Sequence, residues 1–166
     1  LALLLMHILV KYIINYIFKN IMAKVSTYLN FMGKTEEAFN FYKLVFKTEY
    51  SMPIQRIKDT PPMPNGPKLT NAELNLVMHA ELPITGGHVI MGTDMIESMG
   101  HKLIIGNNIS LNLELDTRAE SDRLFKALGE DGKIDMPLTN MFWGAYFGSL
   151  TDKFGVRWMI NCSSKI

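Results

Sequence analysis

Val25-Ser-Thr-Tyr-Leu-Asn-Phe31 alternates apolar and polar residues, and Ile109-Ser-Leu-Asn-Leu-Glu-Leu115 does the same 84 residues later. A period of two is the pattern of a strand with one face buried. A helical pattern follows each strand. Thr35-Glu-Glu-Ala-Phe-Asn-Phe-Tyr-Lys-Leu-Val-Phe46 carries Ala38, Phe41, Tyr42 and Val45 on one face, with Thr35 as the expected N-cap and acids in the first turn. The second helix runs from Thr117 and carries Leu124, Phe125 and Leu128 on the matching face, at an offset of 83.

Hairpins follow in the same order. Val77–Leu82 pairs with His88–Thr93, and Ala145–Leu150 with Val156–Cys162. Leu82, Gly87 and Met91 align with Leu150, Gly155 and Met159 at an offset of 68. The first copy is therefore longer by about 16 residues, and the 59–70 loop, with four of the seven prolines, supplies most of them. The chain reads as strand–helix–three strands, twice. We expect a first unit over 22–96, a linker rich in Gly and Asn over 97–108, and a second unit over 109–166.

The chain has 166 residues, 48% apolar and 20% charged, the balance of a globular protein large enough to bury a core without disulfides. Its one cysteine, Cys162, excludes an internal disulfide and a cysteine-built zinc site. With 17 basic and 16 acidic residues, nothing points to nucleic acid as a partner.

Residues 1–21 differ. Lys11 and Lys19 are their only charges, and His7, Lys11, Asn15 and Lys19 fall four apart, which on a helix makes one thin polar stripe. A membrane anchor, a signal peptide and an extension packed on protein compete for this segment. The segment lacks a basic start and a small-residue cleavage site, and Met22-Ala-Lys resembles a cytosolic start. We expect a helical, accessory extension with the stripe facing water, no membrane partner, and a cytoplasmic location.

The doubled unit resembles the module of the vicinal oxygen chelate superfamily, which includes glyoxalase I, bleomycin-resistance proteins and extradiol dioxygenases. The phrases Glu36-Glu-Ala-Phe-Asn-Phe-Tyr42, Met78-His-Ala-Glu-Leu82, Met136-Pro-Leu and Phe142-Trp-Gly-Ala-Tyr-Phe-Gly-Ser-Leu-Thr-Asp-Lys-Phe-Gly-Val-Arg-Trp158 resemble its PhnB-like branch, from Met22 to about Cys162. That branch is often labelled a 3-demethylubiquinone-9 3-methyltransferase. No Gly-rich loop follows a strand here to hold a nucleotide-like methyl donor. The resemblance implies an α+β fold in which two βαβββ repeats form a cup-shaped, curved mixed sheet, and a homodimer.

It also implies where a metal would sit. The positions that bear ligands in metal-dependent relatives correspond here to Ser26, Met91, Ser110 and Met159. Hydroxyls and thioethers are poor ligands for Zn²⁺, Fe²⁺ or Mn²⁺ without imidazole or carboxylate beside them. We therefore expect no metal and no cofactor. His79 and Glu81 share a strand face, and His88 joins them only if the hairpin turn sets it opposite.

Alternation turns Tyr28, Asn30, Ser110, Asn112, Glu114, Arg157 and Met159 away from the helices, toward the cup. His79 belongs to its wall. Of the aromatics Trp143, Tyr146 and Trp158, parity lets only some face inward. Glu114 invites a cationic ligand or an ion pair with Arg157. The expected function is that of a small-molecule-binding protein holding an organic ligand in an aromatic and polar cup. The alternative is an enzyme of the same superfamily, lyase, isomerase or dioxygenase-like, using a non-standard site around His79 and Glu114.

Overall fold

The computed structural model describes residues 24–61, 64 and 66–163. The expected extension over residues 1–21 lies outside them. The strands are β1 (Thr27–Phe31), β2 (Gln55–Arg56), β3 (Val77–Pro83), β4 (Val89–Asp94), β5 (Leu111–Glu114), β6 (Lys133–Asn140), β7 (Ala145–Thr151) and β8 (Arg157–Ser163). The helices are α1 (Thr35–Phe46), α2 (Asn71–Leu74) and α3 (Arg118–Leu128).

The fold is α+β. Two four-stranded mixed sheets run in the orders β1-β4-β3-β2 and β5-β8-β7-β6. In each, the first strand of the unit pairs in parallel with the last. The repeat survives to single residues. Tyr28 pairs with Met91 and Asn112 with Met159, which are the same two positions displaced by 84 and 68. Leu82 pairs with Ile90 and Leu150 with Trp158 in the same relation.

Alternation explains the layering. In β1, Phe31 is buried while Tyr28 and Asn30 are exposed, and in β5 Leu113 is buried between exposed Asn112 and Glu114. One apolar core runs through both repeats, with α1 and α3 touching each other and covering the buried faces. On α1 the buried face is Thr35, Ala38, Phe39, Tyr42 and Val45, so Phe39 takes the central place and Phe41 is half-buried.

Two buried carboxylates fasten α1. Thr35 does not cap α1; it is the first helical residue, and its N–H and hydroxyl both donate to Asp94, at 3.0 and 2.7 Å. Thr117 does cap α3, accepting from the Glu120 N–H. Asp152 accepts from Tyr42 Oη at 2.7 Å, Trp158 Nε1 at 2.8 Å, and the backbone N–H groups of Phe154 and Val156. It thereby ties α1 of the first repeat to β8 of the second. Burial, with Asp152 beside it, pushes the Tyr42 phenol well above its ordinary range.

Candidate functional site

Each sheet has an open face, turned away from the helices. Cross-strand register sets its rows. In the first repeat Tyr28, Met91 and Glu81 lie side by side. In the second the rows are Asn112–Met159–Ser149 and Glu114–Asn161–Phe147. Tyr28 donates to, or accepts from, His79 Nδ1 at 3.3 Å, and His79 Nε2 lies 3.9 Å from Glu81. His88 belongs to the other face, where it meets Thr27 Oγ1 at 2.9 Å, so the turn does not build a His–Glu–His cluster.

Glu114 is held by amides. Asn112 Nδ2 donates to one oxygen at 2.5 Å and Asn161 Nδ2 to the other at 2.6 Å. The considered pairing of Glu114 with Arg157 is not formed. Arg157 instead lies 3.4 Å from Asp135. The bond from Lys133, with Thr151 and Arg157 adding to it, holds the Asp135 carboxyl below its usual range. Nearest-neighbour geometry decides this, since Arg157 enters at the start of β8 and Glu114 lies opposite Asn161, four residues on.

The expected aromatics divide between faces. Trp158 is fully buried on the helix side. Tyr146 does not line the open face either. It pairs with core-facing Cys162 and turns to α3, donating to Asp122 Oδ1 at 2.7 Å, with the Arg118 guanidinium 4.6 Å from its ring. Trp143 sits in the β6–β7 turn, half exposed, 6.0 Å from the ring of Phe147. Phe147, Ser149 and Asn161 occupy open-face positions that the sequence reading passed over. Asn161 was available from parity, being two residues beyond Met159. Phe147 was hidden because an aromatic also stands beside it.

The edge strands β1 and β5 come together around Thr27, Ser110 and Leu111, and two crevices open from that seam. One, of about 340 Å³, lies between residues 110–114 and the β3–β4 turn at Ile84, Thr85, Gly86 and His88. The other, of about 480 Å³, lies between residues 27–31 and the β7–β8 turn at 154–157, and residues 103–106 of the linker also line it. They are copies of each other: the strands differ by 84 and the turns by 68. The structure brings Ser110, Asn112 and Glu114 to the first crevice and Tyr28, Asn30, Ser110 and Arg157 to the second. His79 stands beside the second through Tyr28. Met159 lies on the open face next to Asn112, while Trp143 and Tyr146 are in neither crevice.

Met91 and Met159 occupy matched positions beside Tyr28 and Asn112, and Ser26 and Ser110 precede the strands. Among the described residues no group of three or more His, Cys, Asp or Glu is arranged to hold a metal ion.

A profile of the family described as 3-demethylubiquinone-9 3-methyltransferase matches residues 23–161. The chain belongs to that family. Protein YjdN of Escherichia coli (strain K12) is 30% identical over 144 residues, covering 82% of this chain and 93% of that protein. A solved structure described as a putative 3-demethylubiquinone-9 3-methyltransferase, PhnB protein, from Bacillus cereus is 32% identical. Its TM-score is 0.67, over 85% of this chain and all of that one. A glyoxalase/bleomycin resistance protein/dioxygenase family enzyme from Burkholderia phytofirmans PsJN shares the fold, with a TM-score of 0.53 at 18% identity over 82% of this chain and 96% of that one. The family is thus the PhnB-like one, on the glyoxalase/bleomycin-resistance fold. Among the described residues no helix is long and apolar enough to cross a membrane.

Proposed function

We propose that this protein binds a small organic molecule at the seam of its two repeats and does so without the divalent metal used by other members of the superfamily. The observation that carries this reading is the pair of symmetry-related crevices, whose linings combine apolar residues with a few fixed polar groups, as ligand sites do. The serine and methionine donor set supports the metal-free part. Elemental analysis of the purified protein is expected to find no stoichiometric transition metal. A stoichiometric metal that disappears in Ser110→Ala would refute it.

A second reading, catalysis, has one observation in its favour. Tyr28, His79 and Glu81 form a line in which an imidazole stands between a phenol and a carboxylate, the parts of a general acid–base site. His79 and Glu114 belong to different sheets, so a site on this face is built around His79 with Tyr28 and Glu81. A turnover that His79→Asn abolishes while ligand binding persists would select this reading.

We also propose a cytoplasmic homodimer. Strand β6 ends the second sheet on the side away from the seam and is largely exposed, an exposed edge invites pairing with another chain, and Ile134, Phe142 and Trp143 lie exposed on it or in the turn that follows. Light scattering that reports a monomer at high concentration would count against the dimer.

A further inference from the structure

The two crevices share a backbone plan but not a charge. The position of Glu114 in the first crevice is held in the second by Asn30, its counterpart 84 residues earlier. Glu114 forms no ion pair among the described residues; its hydrogen-bond partners are two neutral amides, one per oxygen. A carboxylate has about four acceptor sites, so each oxygen keeps capacity for a further donor. The amides fix the carboxylate's orientation and leave its charge uncancelled. Arg157, the charge that lines the other crevice, already has Asp135 beside it. The first crevice also offers apolar wall from Ile84 and Leu111, and hydroxyls from Thr85 and Ser110. Its β3–β4 turn carries Gly86 at φ +69°, and a Cβ built there would meet no atom within 4 Å, so the mouth is open on that side.

We propose that the crevice between β5 and the 84–88 turn binds a small organic cation, an amine or guanidine with an apolar body, whose charged head is held by the Glu114 carboxylate. This rests on the seam being a small-molecule site and adds the ligand's charge and its orientation. The head sits toward the Glu114 end of β5 and the body lies along Ile84 and Leu111. A preoriented, charge-assisted contact at a partly enclosed site is the strong kind of hydrogen bond or ion contact. It selects a cation over a neutral molecule of similar shape.

Calorimetric titration at neutral pH with benzylammonium, benzyl alcohol and benzoate tests this. The wild-type protein is expected to bind the cation about tenfold or more tightly than the alcohol, and benzoate more weakly than either. Glu114→Gln, which keeps the shape and requires only that one neighbouring Asn amide turn its oxygen toward the new NH2 group, should bring the cation down to the level of the alcohol and leave the alcohol unchanged. Glu114→Lys should move the preference toward benzoate. If the alcohol and the cation bind equally to the wild-type protein, or Glu114→Gln leaves cation binding intact, the charge inference fails while the small-molecule reading stands. If no probe of any charge binds, both fail together.

Discussion

Replacing Asp152 by Ala removes the acceptor shared by two fully buried donors, the Tyr42 hydroxyl and the Trp158 indole N–H. Asp152 is itself only 4% exposed, so water has little access to replace it. A buried donor left without a partner costs about 1–3 kcal/mol. The two side-chain donors together therefore predict a loss of about 2–6 kcal/mol. The Phe154 and Val156 N–H groups, in a partly exposed turn, add less because solvent reaches them. In a domain of this size each kcal/mol lowers Tm by about 2–4 °C. Urea unfolding followed by far-UV circular dichroism should show a lower midpoint with an unchanged slope. Tyr42→Phe alone should cost about 1 kcal/mol, since Asp152 keeps three donors. In the Asp152→Ala background the same change should cost less, because it removes the orphaned hydroxyl. The expected coupling is about 1–2 kcal/mol. The reasoning is refuted if Asp152→Ala lies within about 0.5 kcal/mol of the parent, the range of an ordinary surface change, or if the two changes add without coupling.

Gly92→Ala should destabilise by about 1–3 kcal/mol through overpacking, because its Cβ would come within 2.8 Å of Phe39 Cζ in the tightest part of the core; thermal unfolding measures it. Glu73 is held at about 2 by its bonds to Ser98 and then Thr70. Since folding lowers this pKa, the stabilisation is present above the ordinary value of 4.5 and is lost as pH falls toward about 2; an NMR titration of the Glu73 side chain checks it. At the other extreme, burial and then Glu36 raise the Tyr50 phenol to about 12. Its contribution is complete below 10 and is lost as pH rises toward about 12, so ultraviolet difference spectra of Tyr50→Phe should lack one late-ionising phenol.

What could be read from the sequence was what local pattern dictates. Alternation around Leu29 and Leu113 gave the two edge strands and the face each residue takes. The recurrence of Met91 at Met159 gave the register between repeats. Of the expected face of α1, Ala38, Tyr42 and Val45 are buried and Phe41 is only partly so: a 3.6-residue period cannot distinguish a central Phe39 from a flanking Phe41 when both are aromatic. The long-range polar contacts left no mark. Thr35 has the composition of an N-cap, but its hydroxyl goes to Asp94, 59 residues away. Tyr42 reaches Asp152 across 110 residues. For the site, parity placed Asn112 and Glu114 correctly against the helices. It could not foresee that Arg157 would take Asp135, since β6, which brings Asp135, carries no strong strand pattern. Tyr146 was lost to the open face for a similar reason: the β7 run Ala-Tyr-Phe-Gly has no polar residue to mark which side is wet.

The tie from α1 to β8 also has a consequence for the order in which the chain is made. Sheet pairing in the first repeat is complete once Asp94 has been synthesised, because β1 waits for β4 and for nothing later. The rings of Phe41, Tyr42 and Phe46, however, meet Phe154 and Trp158, from the β7–β8 hairpin of the second repeat, at centroid distances of 5.7 Å. During translation the first repeat can therefore acquire its strand order while one side of its helix is still bare. That sticky surface is covered only when β8 leaves the ribosome, so a chain that stalls before residue 158 should be the species that chaperones retain.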